Sequence, residues 1–174
     1  MIWGKKRMDK IEELLNNPRT GLQKQALTDK SYKKTPNNQD CKINFELATY
    51  GDAILKCVLC KIYFEKEDED NFGFKGKLTE WKKQYESDEV LVKFIARHYD
   101  ILNLNCLNFD RGDTKKPHDY DYQGKNAKRR YKYIATAMEA CIAAVYIENG
   151  ENEVIEIVKK WIRWIDKETN SSDT

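Results

Sequence analysis

Two carboxylates stand in the middle of apolar, helix-patterned sequence. Asp52 lies in "FELATYGDAILK" at 45–56 and Glu139 in "ATAMEACIAAV" at 135–145. A carboxylate left unpaired in a core costs several kcal/mol or takes up a proton. Each acid therefore needs a partner: a cation, a set of hydrogen-bond donors or a metal ion. Two chemistries are open. The acids can cap or ion-pair at a helix junction, or two helices can bring them to one site, where hard divalent cations take oxygen ligands. Gly51, just before Asp52, costs roughly 1 kcal/mol in a helix interior. It makes sense only where another backbone packs closely.

The elements that must position these acids read as almost entirely helical. "KRMDKIEELLNN" is an amphipathic stretch stopped by Asn16-Asn17-Pro18, and "LQKQALTDKSY" is a second, shorter one. "TPNNQD" at 35–40 reads as a loop. A long apolar helix is predicted from about Ile43 to Phe64, ended by the acidic run "EKEDEDN" with Gly73 and Gly76. "LTEWKKQYES" gives another helix, and Asp88 is placed to cap "EVLVKFIARHYDI". Residues 102–127 read as loop. "YKYIATAMEACIAAVYIENG" is the second strongly apolar helix, closed by Asn149-Gly150. "EVIEIVKKWIRWID" is the last amphipathic helix, and "KETNSSDT" is expected to fray. No β-alternating stretch of useful length and no glycine-rich phosphate loop is present, which argues against parallel-sheet nucleotide folds.

The 174 residues suit one domain with a real core, and 34% charged against 40% hydrophobic residues describes an ordinary globular chain. The formal net charge of +2 neither supports nor excludes a polyanionic partner. No apolar run reaches membrane-spanning length, and "MIWGKKRMDK" lacks the apolar run of a secretory signal. An intracellular, reducing compartment, cytoplasm or nucleus, is the expectation, and five cysteines agree with it. Cys57 and Cys60 form a C-x-x-C, but no second ligand pair accompanies it. Cys41, Cys106, Cys141, His98 and His118 are scattered, so the two read as small core residues of the helix.

Charge clusters at "KNAKRRYK", 125–132. Lys125, Lys128, Arg129, Arg130 and Lys132 stand there beside Tyr131 and Tyr133. The stretch is either a solvated lead into a helix or a contact patch for a phosphate backbone.

Three blocks, "ALTDKSY" at 26–32, "ELATYGDAIL" at 46–55 and "IATAMEACIAAVYIENG" at 134–150, resemble the signature blocks of the ribonuclease III domain. That family shows A-L-T-H-x-S-Y, then N-E-R-L-E-F-L-G-D-A-V-L, then L-A-D-x-x-E-A-L-I-G-A-x-Y-L-D-x-G. The match runs over nearly the whole chain, in the family's order and spacing. It implies an all-α domain over residues 1–170 with a short tail at 171–174. It also implies a dimer with a groove for double-stranded RNA, and a Mg²⁺ site on each subunit that hydrolyses one strand to 5′-phosphate and 3′-hydroxyl ends.

The resemblance carries catalytic and metal-binding roles to Asp52 and Glu139. It also exposes replacements. Ala48 stands four residues before Asp52 and Phe45 seven before it, both at acid positions of the family. Thr136 stands at the family's second-helix aspartate, and Lys75 at a further acid position. Glu46 lies six residues before Asp52 and, at about 100° per residue, points away from its face. Thr136 offers only a hydroxyl, a weak Mg²⁺ ligand. Mg²⁺, or Mn²⁺, is thus expected to bind weakly or only with RNA present.

Two functions are therefore carried forward. One is double-stranded RNA processing by endonucleolytic hydrolysis at a reduced metal site. The other is a catalytically silent scaffold that binds structured RNA or dimerises. The partner is a second copy or a related domain. No double-stranded RNA-binding module is expected within this sequence after the last helix, and RNA contact would rest on the domain surface and the 125–132 stretch.

Overall fold

A computed structural model describes residues 8–66, 76–104, 106–109, 120, 122–123 and 126–171, without the side chains of residues 129 and 130. Among these residues eight helices follow one another: α1 (Lys10–Asn16), α2 (Gly21–Ala26), α3 (Phe45–Lys66), α4 (Lys77–Glu86), α5 (Asp88–Val90), α6 (Ile101–Leu104), α7 (Ala127–Asn149) and α8 (Glu151–Ser171). Two 3₁₀ turns, Lys30–Lys34 and Pro36–Asn38, connect α2 to α3. Among the described residues the only β pairing is an isolated bridge between Thr28 and Asn108. The all-α expectation holds.

α3 and α7 are the axis of the fold. α7 buries Ile134, Ala135, Met138 and the whole run Ala140–Val145. A helix apolar on nearly every side must be enclosed, and α3, α8, α1 and α2 pack around it. α3 turns Leu47, Ile54, Leu55, Val58, Leu59 and Ile62 inward. α8 buries Val154, Ile157, Val158, Trp161, Ile162 and Ile165, the spacing of a helix with one apolar face. Gly150, with φ at +87°, separates α7 from α8 as the Asn149-Gly150 stop predicts.

One carboxylate ties the first helix to the last. Asp9 Oδ1 accepts the backbone N–H of Glu12 at 2.8 Å and so caps α1. Its Oδ2 accepts from the Tyr99 hydroxyl at 2.9 Å and from the Lys160 ammonium. Trp161 Nε1–H donates to the same Tyr99 oxygen at 3.0 Å. Burial and the Asp9 charge hold the Tyr99 phenol well above its usual pKa.

Several local expectations are corrected. Ser87, not Asp88, caps the helix at 88: its hydroxyl accepts the Val90 N–H at 3.2 Å, leaving Asp88 in the first turn. Beyond Val90 the helix continues over Leu91–Ala96 with π-type geometry. The stretch after residue 101 begins as α6 rather than loop, and the predicted loop at 35–40 contains a 3₁₀ turn. Residues 167–171 stay helical because Thr169 and Ser171 return hydrogen bonds to Ile165 and Lys167 carbonyls. Cys57 is exposed and Cys60 half-buried. The buried stripe of α3 runs through Val58 and Leu59, and the two cysteines fall on its other side. Gly73, Lys75, Gly112, Pro117, His118 and Gly124 lie outside the described residues.

Candidate acidic site where the long helices cross

The crossing of α3 and α7 is set by Gly51. A Cβ built there would fall 1.8 Å from the Glu139 carbonyl oxygen and 3.2 Å from the Ala143 nitrogen. Only glycine admits that approach, which accounts for its place inside a helix. The same contact brings the residue after Gly51 and the side chain of Glu139 to one region.

On α3, Ala48, Asp52 and Lys56 follow at intervals of four and share a face. Ala48 is buried. Lys56 Nζ donates to Asp52 Oδ2 at 2.7 Å, with the acid N-terminal to the lysine, the favourable order along a helix. The hydrogen bond to Asp52, with the charges of Asp52, Glu86 and Glu139, raises the Lys56 pKa against the opposing effect of burial. On α7, Lys132, Thr136 and Glu139, at intervals of four and three, share a face. Lys132 Nζ donates to Asp88 Oδ1 at 2.9 Å. Burial works against the Lys132 ammonium. The bond to Asp88 and the charges of Glu139 and Asp52 outweigh it, and the pKa is raised.

Glu139 is the buried member. Its residue exposure is 8%, and among the described residues no hydrogen bond or ion pair reaches its carboxylate. Burial lifts its pKa to about 7; Lys132 and Lys56 pull it down, Asp88 and Asp52 push it up. Asp52, Glu86, Asp88, Glu139, Lys56 and Lys132 therefore form one electrostatic cluster of four carboxyls and two ammoniums.

The expected site residues divide accordingly. Asp52 and Glu139 are brought close enough for their charges to act on each other, and Thr136 lies one turn before Glu139 on α7. Phe45, at the start of α3, is exposed, and Glu46 is exposed beside it without facing the cluster. Lys128 is exposed on the first turn of α7. Lys132 is tied to Asp88 rather than free. Lys125 and the side chains of Arg129 and Arg130 lie outside the described residues. Sequence reasoning misses three members, Lys56, Glu86 and Asp88. Lys56 carries a signal, the i,i+4 spacing from Asp52. Asp88 carries none, because its partner is 44 residues away.

The resemblance implies Mg²⁺, so the donor set must be tested against it. Among the described residues no three His, Cys, Asp or Glu side chains stand together closely enough to hold a metal ion. Asp52 and Asp88 each give an oxygen to an ammonium, and a methyl and a hydroxyl stand at Ala48 and Thr136. Mg²⁺ demands near-octahedral oxygen donors at about 2.0–2.1 Å. The arranged residues do not fit it.

Comparison with known proteins agrees with the helical architecture. A family model described as Ribonuclease-III-like matches residues 19–164. The chain is 28% identical over 139 residues to Ribonuclease 3 of a Nitratiruptor species, covering 80% of this chain and 52% of that protein. It is 25% identical over 142 residues to Ribonuclease 3 of Listeria welshimeri, covering 81% and 55% respectively. The chain thus spans about half the length of these curated relatives. The solved nuclease domain of ribonuclease III from Campylobacter jejuni superposes with a TM-score of 0.59 at 23% identity, over 92% of this chain and 97% of that one. At that identity the likeness bears on the fold alone. With a family model matching most of its length and the Gly51–Glu139 crossing at the centre of its fold, the chain belongs to the Ribonuclease-III-like family.

Proposed function

We propose that this chain serves RNA processing as a dimerising, double-stranded-RNA-binding member of its family, without running metal-assisted hydrolysis at its own acidic site. One observation carries the reading: Asp52 and Asp88 are occupied by Lys56 and Lys132 at 2.7 and 2.9 Å, so the acids are neutralised from within the chain. RNA as the partner is supported by the family and by the name Ribonuclease 3 borne by the relatives. Lys128, exposed on the first turn of α7, supports a backbone contact.

Dimerisation is supported by the outer face of α3. Tyr50, Ala53, Cys57, Cys60 and Phe64 recur at intervals of three and four, and Tyr50, Phe64 and the nearby Ile147 are exposed large apolar residues. The Campylobacter jejuni nuclease domain has a region involved in dimer formation, and a second copy or a related domain would cover this stripe here. Among the described residues no helix is long and apolar enough to cross a membrane.

A second reading, endonucleolytic hydrolysis with Mg²⁺ or Mn²⁺ at a reduced site, is favoured by Glu139: a carboxylate only 8% exposed, without a partner, has no evident structural task. One experiment separates the two. Long double-stranded RNA is incubated with the purified chain and either metal, with binding followed in parallel. Binding without cleavage supports the first reading. Metal-dependent cleavage abolished by Glu139→Gln establishes the second.

A further inference from the structure

We propose that Lys56 is a built-in cation that receives an RNA phosphodiester directly, in place of the divalent metal that the family resemblance implies, with Asp52 as the residue that positions it. The inference rests on the functional reading above and deepens it.

Four observations carry it. Lys56 spends one N–H on Asp52 Oδ2, and an ammonium has three donors. Two remain for another acceptor. The side chain is 45% exposed, so those donors are reachable from solvent. Across the crossing, Lys132 is held in the same manner by Asp88 and is 49% exposed. Both ammoniums lie close enough to the buried Glu139 for its charge to act on each. That carboxylate is nine-tenths buried and without a partner among the described residues.

Compact ammonium charges on flexible stems are effective phosphate ligands. A single phosphate between two half-exposed lysines gains little. A polymer presenting one phosphate after another adds this contact to the rest of its electrostatic attachment. The occupant is therefore a nucleic-acid backbone rather than a free anion.

Neither lysine needs a metal to be present, so the contact should be indifferent to chelators. The test measures binding of a labelled RNA duplex by the full chain across a salt series, in EDTA and in Mg²⁺ at matched ionic strength. Wild-type affinity should be the same in both. Lys56→Gln should weaken binding several-fold and lower the slope of log affinity against log salt by about 1, the share of one phosphate contact. Lys56→Arg should restore the slope, which a merely structural role would not predict, and melting curves confirm that each variant is folded. Inorganic phosphate should displace RNA no better than chloride at equal ionic strength; selective displacement would overturn the assignment to a polymer. An unchanged slope in Lys56→Gln, with no cleavage by the wild type, overturns the inference alone. Metal-dependent cleavage by the wild type overturns the functional reading and the inference together.

Discussion

The Glu139 carbonyl sits where a Gly51 side chain would begin: a Cβ at residue 51 would lie 1.8 Å from that oxygen. The two residues are thus coupled through their backbones before any side-chain chemistry is considered. The acid on α7 is placed by the absence of a side chain on α3.

Gly51→Ala is therefore expected to force the helices apart. Overpacking of a tight core costs about 3 kcal/mol or less in most cases, and here the clash is with backbone that cannot rotate away. A loss of about 3 kcal/mol corresponds to a drop in melting temperature of roughly 6–12 °C for a chain of this size. Thermal unfolding followed by circular dichroism measures it, and a shift under about 2 °C would disprove the close crossing.

The raised pKa of Glu139 makes stability depend on pH. Unfolded, the carboxyl releases its proton near its ordinary value of 4.5; folded, it holds it to about 7. The folded state thus binds more protons between those values. Its contribution is fully present below about 4.5 and is lost as pH rises through about 7. Glu139→Gln should match the wild type at the acid end and be more stable at pH 8, by up to about 3 kcal/mol. Melting curves of both proteins at the two pH values decide it; equal curves at pH 8 would remove the buried-carboxyl account.

Restoring the family's acids, Ala48→Glu with Thr136→Asp, should create a metal requirement. Ala48 is buried, so the new glutamate should lower stability in EDTA. Mn²⁺ at about 100 times its dissociation constant would return about 2.7 kcal/mol. The wild type should show no such Mn²⁺-dependent rise. A double variant that melts identically with and without Mn²⁺ would mean that Lys56 and Lys132, not the missing acids, keep metal out.

The apolar stripe on α3 should hold the dimer. Tyr50→Glu with Phe64→Glu places two charges on that face, each exposed in the single chain, so the fold should survive while association weakens. Light scattering after size exclusion should show a wild-type dimer and a monomeric variant. A wild type that is monomeric at micromolar concentration would remove this face from consideration.

Changes at 128–130 probe the basic stretch. Lys128→Gln with Arg129→Gln and Arg130→Gln should weaken RNA binding and flatten its salt dependence, by about 1 in log–log slope for each lost phosphate contact. An unaltered slope would leave these residues as an ordinary solvated start of α7 rather than an RNA contact.

The long helices are legible because their apolar residues leave few arrangements other than burial, and the Gly51-Asp52 and Glu139 blocks are local patterns. The charge cluster is only half legible. Lys56 follows Asp52 by one helical turn, but the Lys132–Asp88 pair spans 44 residues and depends on how α5 meets α7. Ser87 and Asp88 both belong to the residue types that cap helices, and the sequence does not say which occupies the cap. Cys57 is misplaced for a related reason: α3 is apolar on its outer face too, and an apolar composition does not distinguish a core stripe from a stripe awaiting a partner.

The knot at Asp9 bears on where this domain begins. The family match opens at residue 19, yet Ile11, Leu14 and Leu15 are fully enclosed ahead of it, and Asp9 supplies the acceptor for both Tyr99 and Lys160. A polypeptide trimmed to the matched span would leave an ammonium without its counter-charge beside Trp161 and Trp164, and would open the floor under α7. Alignment edges mark where sequence stops being comparable, whereas the packing described here reaches back about ten residues further, to Asp9 at the cap of the first helix.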